Sequence, residues 1–216
     1  YVYGYFAPFA FGLAAECYKA SIHDFKEKVD ALPENDIILT WDFNANPLSW
    51  LAISEMTEPT DQSSYYVVHE ESSLGYSQII ESCIEFSVKF PVEKYGGTPI
   101  KVYGDRSGYQ KTHMVKGDSY DLIAKSLKDL GYYHVELCTP RQVILESDAI
   151  DAANRLFYEN ICFLNPHLKG LKRSFSMTKL KSNERKIEKP AKEDWTHAYD
   201  AFKYFAYQVH YREKTR

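Results

Sequence analysis

The sequence predicts an α/β fold: a mixed sheet of five or more strands, an antiparallel meander followed by parallel strands, flanked by helices. Three observations predict it. Three short apolar runs follow one another between residues 37 and 70 with only polar links between them. Helix-spaced segments then separate the later runs, so those strands can return parallel to the first. Gly, Pro and Asn punctuate the boundaries. At 216 residues the chain is long enough to bury one ample core.

The first strand is expected over residues 37–42 (Ile-Ile-Leu-Thr-Trp-Asp), entered from a Pro-containing loop and broken by Asn44 to Pro47. Residues 50–56 and 65–70 read as the second and third strands, joined by a polar turn. From Gly75 to about Phe90, Ile79, Ile80, Cys83, Ile84 and Val88 recur at helical spacing until Pro91 stops them. Residues 100–105 form the fourth strand. Asp118 caps a helix that runs to about Leu130 and stops at Gly131, and residues 133–137 are the fifth strand. Residues 147–158 look helical, 161–164 form a brief extended piece, and residues 175–180 and 185–189 flank a turn as a two-stranded ribbon. A terminal helix over about 195–211 carries Ala198, Ala201, Phe202, Phe205 and Val209 on one face.

Three aspartates stand where these elements can gather them. Asp42 closes the first strand and Asp105 the fourth, and parallel neighbours would present both at the carboxyl edge of the sheet. Asp200 lies with His197, Tyr204 and Tyr207 along the margin of the terminal helix's apolar face. Taken singly, Asp42 also suits an Asx turn, Asp105 a Gly/Ser turn and Asp200 a solvated helix. Taken together they suit Mg²⁺ or Mn²⁺, hard ions that prefer carboxylate and water oxygens. Two such ions about 3.5–4 Å apart activate water and stabilise the departing oxygen of a phosphodiester. His197 could position that water, shuttle a proton or bond a metal ligand, or be a helix-start histidine with no catalytic part.

Charge is uneven. The chain is net −4, yet residues 169–189 hold eight basic side chains against two glutamates. A basic patch on an acidic body fits contact with phosphate in one place, or a solvated basic hairpin. Cys17, Cys83, Cys138 and Cys162 are scattered singly, which reads as reduced structural thiols in an intracellular compartment. The apolar stretch 1–15 is interrupted by Gly4, Pro8 and Gly12 and is too short to span a bilayer, so no membrane segment is expected.

At residues 41–47 (Trp-Asp-Phe-Asn-Ala-Asn-Pro), 104–108 (Gly-Asp-Arg-Ser-Gly) and 197–204 (His-Ala-Tyr-Asp-Ala-Phe-Lys-Tyr) the sequence resembles the nuclease domain of the tailed-phage large terminase, the DNA-packaging motor subunit. The resemblance spans roughly residues 35–210. It implies an RNase H-like fold with Asp42, Asp105 and Asp200 as a metal-binding triad. It implies two-metal-ion cleavage of concatemeric double-stranded viral DNA at the start and end of packaging, in the host cytoplasm at the procapsid portal. Portal protein and small terminase subunit are the implied partners, with an ATPase domain elsewhere in the full-length protein. Since residues 1–216 hold no Gly-x-x-x-x-Gly-Lys-Ser/Thr loop and begin at Tyr1, residues 1–30 are expected to be the linker from that ATPase, and 31–216 the nuclease. The ribbon would lie beside the active site, with Lys179, Lys181, Arg185 and Lys186 on the DNA backbone. Arg106 departs from the small residue common at that place; its role stays open, and it could reach a phosphate. Other readings are a junction resolvase, a ribonuclease H, or a non-catalytic domain that docks DNA or portal.

Overall fold

The computed structural model describes residues 35–43, 48–57, 63–73, 79–110, 117–139, 143–159, 161–165, 167–177 and 196–215. Among the described residues six strands form one sheet: β1 (Asp36–Asp42), β2 (Leu48–Thr57), β3 (Ser63–Ser73), β4 (Ile100–Gly104), β5 (Val135–Leu137) and β6 (Cys162–Leu164). Their spatial order is β5-β4-β1-β2-β3-β6. The expected meander is present, since β1 to β2 and β2 to β3 pair antiparallel. β4 pairs parallel with β1, as the intervening helix allows, and β5 parallel with β4. The extended piece at 162–164 is a true edge strand, parallel to β3. The fifth strand is shorter than expected because the Tyr133 N–H donates to the Gly96 carbonyl, ahead of the ladder with β4.

Helices cover both faces. On one side are α1 (Ile79–Lys89), the short α2 (Val92–Tyr95) and α3 (Ser119–Asp129). They pack over Ile37, Leu39, Trp41, Trp50, Ala52, Ile100 and Val102. On the other side, α4 (Glu146–Tyr158), α5 (Lys169–Met177) and α6 (His197–Thr215) pack over Ile38, Leu51, Ile53, Tyr65, Val67 and Tyr103. The period-two alternation of the strands therefore sorts their side chains into two cores. Asp118 caps α3 with a reciprocal capping box to Asp121, and Gly131 adopts a φ of 102° just past its end.

Two expectations need correction. In α1 the buried apolar residues are Ile79, Cys83 and Phe86, while Ile80, Ile84 and Val88 face outward. Phe86 decides this orientation by packing between Trp50, Phe90 and Tyr132. In the basic segment, Phe175 to Met177 end α5 instead of starting a ribbon. Leu171 and Phe175, four residues apart, bury one helical face, where Phe175 meets Phe157, Tyr199 and Phe202. The rest of the expected ribbon lies outside the described residues, as does the segment 1–30.

Burial pushes the Cys83 thiol up to about 12. The thiolate is the nucleophile, so Cys83 is expected to stay unmodified by iodoacetamide at pH 8 until the protein unfolds, while half-buried Cys138 reacts. Peptide mass spectrometry checks this.

Lys101 on β4 bridges Asp36 (2.5 Å) and Glu55 (2.6 Å) across three strands. Burial alone would lower its pKa, but the two carboxylates outweigh burial and hold it above 10.5. A folded value above the unfolded one means the stabilisation is complete below pH 10.5 and is lost as pH rises through the folded value. Urea unfolding of Lys101→Met is expected to show reduced stability at pH 7, with the deficit narrowing as the pH is raised beyond 10.5.

Candidate metal centre at the strand ends

On β1 the side chains Ile38, Thr40 and Asp42 alternate onto the α6 side of the sheet. Thr40 Oγ1 donates to the carbonyl of Ala201 at 2.7 Å, seating the helix directly over the strand. Asp200, one residue before that carbonyl, is thereby held beside Asp42. The parallel register runs from Ile37 opposite Ile100 to Trp41 opposite Gly104, so Asp42 and Asp105 are the next residues on adjacent strands. Both leave the sheet at the carboxyl end of the β1–β4 pair.

Asp42, His197 and Asp200 offer ligand atoms that all lie within 4.8 Å of one another. His197 Nδ1 stands 2.9 Å from Asp42 Oδ2. Asp105 lies outside that group of three but within electrostatic reach of Asp42 and Asp200. Ser107 Oγ donates to its Oδ1 at 2.7 Å, and Tyr120 Oη donates to its carbonyl oxygen at 2.7 Å.

The sequence places Asp105 by close approach of backbone to ring. The residues after it form a single 3-10 turn, Arg106–Tyr109, laid against Tyr120 and Phe43. A Cβ at Gly104 would come within 2.5 Å of Tyr120 Oη and 2.9 Å of the Trp41 carbonyl, and one at Gly108 would overlap both rings. Gly108→Ala is therefore expected to destabilise the protein by about 1–3 kcal/mol through overpacking, read as a lower urea midpoint.

The electrostatics are those of carboxylates crowded together away from water. Burial holds Asp42 above the usual carboxylate range; the bond from His197 opposes this, while the charges of Asp200 and Asp105 add to it. Asp105 is also raised, first by burial and further by Asp200, against the Ser107 bonds. The Tyr204 phenol lies well above its ordinary value because it is buried near Asp200, Asp42, Asp105 and Glu146, so it remains an O–H donor.

Several members of this neighbourhood were not anticipated from sequence. Lys203 is buried, 2.7 Å from Asp200 Oδ1 and 3.4 Å from Glu146 Oε1. Its spacing of three from Asp200 on one helix was a usable signal; Glu146, from the start of α4, offered none. Arg106 is exposed beside Asp105. Lys179, Lys181, Arg185 and Lys186 lie outside the described residues. Among the described residues no helix is long and apolar enough to cross a membrane.

The donor set fits a divalent cation. It is mainly carboxylate oxygen, it has an imidazole at its margin, and its like charges raise one another's proton affinity, the repulsion that a bound cation relieves.

The mixed six-stranded sheet, with helices on both faces, is an RNase H-like α/β architecture. Solved structures with this fold include large terminases and large terminase nuclease domains. The P22 large terminase nuclease domain matches with a TM-score of 0.54 at 14% identity, over 84% of this chain and 83% of that one. The large terminase of a thermophilic bacteriophage, a longer protein, matches with a TM-score of 0.53 at 19% identity, over 82% of this chain and 40% of its own. This chain thus spans about two fifths of that protein's length. The large terminase nuclease of the thermophilic phage G20c, solved with bound magnesium, matches with a TM-score of 0.50 at 13% identity, over 82% of each chain. At such identities the likeness is one of fold. No protein-family model and no curated protein matches the chain.

Proposed function

We propose that this chain is the nuclease domain of a large terminase: an Mg²⁺- or Mn²⁺-dependent endonuclease that cuts concatemeric double-stranded viral DNA when packaging starts and ends. The observation that carries this reading is the meeting of Asp42, His197 and Asp200 within 4.8 Å, with Asp105 beside them on the adjacent parallel strand. The fold neighbours support it, one of them a nuclease with magnesium bound.

In this reading Asp42, Asp105 and Asp200 hold the cations. When bound, one or two such ions neutralise phosphate charge and lower the pKa of the attacking water. The protein's own part is positional. Asp42 and Asp105 are set in step by the β1–β4 register, and Asp200 by the Thr40 to Ala201 bond. With Asp42 ionised, His197 Nδ1–H donates to it, which leaves Nε2 as the proton acceptor on the ring. Tyr204 Oη, kept protonated, is a donor near the developing charge. Arg106 and the basic residues Lys179, Lys181, Arg185 and Lys186 hold the duplex backbone, which positions DNA without reading bases. The packaging ATPase in the full-length protein, the portal protein, the small terminase subunit and a host-cytoplasmic location belong to the same proposal.

Incubation of the purified chain with supercoiled plasmid is the direct test. Nicking and linearisation with Mn²⁺ or Mg²⁺, abolished by EDTA, is the expected result. A marked preference for a four-way junction or an RNA/DNA hybrid over linear duplex would replace the terminase reading with a resolvase or a ribonuclease H. Salt-dependent DNA binding with no cleavage under any metal would leave a docking domain.

A further inference from the structure

A second group of ligand-bearing side chains sits on the opposite face of the sheet. His69 and Glu71 of β3 and Glu85 of α1 offer ligand atoms that all lie within 4.8 Å of one another. A β-bulge creates the arrangement. Ala52 pairs with His69 but Ile53 pairs with Val67, so Val68 is the extra residue. With an unbroken alternation, Val67, His69 and Glu71 would share one face and point toward α6. The bulge turns His69 and Glu71 to the α1 side, while Val67 stays in the α6 core.

The site is held in shape. His69 packs on the Trp50 ring with centroids 5.1 Å apart, which orients the imidazole. Its Nε2 is shielded from solvent and has no hydrogen-bond partner among the described residues, an uncommon state for a shielded ring nitrogen. Burial, with the Lys89 charge, holds His69 below its ordinary value. Glu71 and Glu85 stand within hydrogen-bond reach of each other, two acidic groups that call for positive charge between them. Lys89, one turn beyond Glu85, supplies part of that charge.

We propose that His69, Glu71 and Glu85 form a second metal site that takes one divalent transition ion, zinc foremost, and pins α1 to β3. One imidazole and two carboxylates leave a fourth position for water, a set that suits zinc better than the all-oxygen shell magnesium prefers. The site stands apart from the Asp42 cluster and does not depend on the proposed nuclease activity.

Equilibrium dialysis and thermal unfolding with zinc chloride test it, using an Asp42→Asn/Asp200→Asn protein to silence the first cluster. This protein is expected to bind one zinc per chain and to melt at higher temperature with zinc present. Adding His69→Gln or Glu85→Gln should weaken binding by at least the roughly 10–100-fold that loss of an outer-shell partner costs, and remove the thermal shift. Glu85 is only half-buried, so Glu85→Gln decides the matter if His69→Gln fails to fold, as judged by circular dichroism. No zinc bound by the Asp42→Asn/Asp200→Asn protein overturns the proposal, as does zinc binding that both further substitutions leave intact. Magnesium competing as well as zinc overturns the choice of ion.

Discussion

Asp42→Asn is expected to reduce Mn²⁺-dependent plasmid cleavage by about 10³-fold while leaving the protein as stable as before or more so. The first half follows from the proposed role. A cation at a phosphoryl oxygen is worth several kcal/mol, and each 1.36 kcal/mol is about tenfold in rate, so losing a central ligand removes about three decades. The second half follows from electrostatics alone. Asp42 is buried and near Asp200 and Asp105, and its pKa is raised in the fold, so ionising it at pH 7 costs the native state. A neutral amide of the same shape removes that cost and keeps an oxygen to accept from His197. Loss of cleavage with an unchanged or raised Tm is therefore the signature of a ligand. Loss of both would mean that Asp42 is structural, and full cleavage by the variant would end the assignment.

The positions of Asp42 and Asp105 were legible because strand geometry is local. Each closes an apolar run, and a helix between the runs permits parallel pairing, so the two carboxylates fall in register once the strands are neighbours. The face of α6 was legible for the same reason, as Ala198, Ala201, Phe202, Phe205 and Val209 recur at helical spacing and are buried. What could not be read depends on contacts distant in sequence. Ile80, Ile84 and Val88 make as regular a stripe as Ile79, Cys83 and Phe86, and only the aromatic partners of Phe86 decide which one faces inward. The helical end of α5 looked like a strand because Phe175 is apolar in a basic segment; its burial comes from Phe157, Tyr199 and Phe202. The bulge at Val68 has no mark in the residues themselves, and without it His69 and Glu71 would face the other way.

Lys203→Met is expected to have the larger effect on stability, a loss of about 3–5 kcal/mol. In sequence only its spacing of three from Asp200 marks this lysine, yet its side chain runs through the core beside Tyr199 and Tyr204 to reach Asp200 and Glu146. Asp200 is 0% exposed and Lys203 4%. Water cannot reach either charge, so removing the ammonium takes a counter-charge from 2.7 Å away from the buried Asp200 carboxylate. Methionine fills most of the same volume, which separates lost charge from lost packing. The double variant Lys203→Met/Asp200→Asn is expected to recover much of the loss, since the carboxylate charge is removed together with its counter-charge; urea unfolding of the full set of single and double variants measures the coupling. The same pair ties stability to the metal centre. A cation bound at Asp200 offsets the charge that Lys203 neutralises, so Mn²⁺ should stabilise Lys203→Met more than the unsubstituted protein. Equal stabilisation of both by Mn²⁺ would show that Asp200 does not hold the ion, whatever the fate of cleavage.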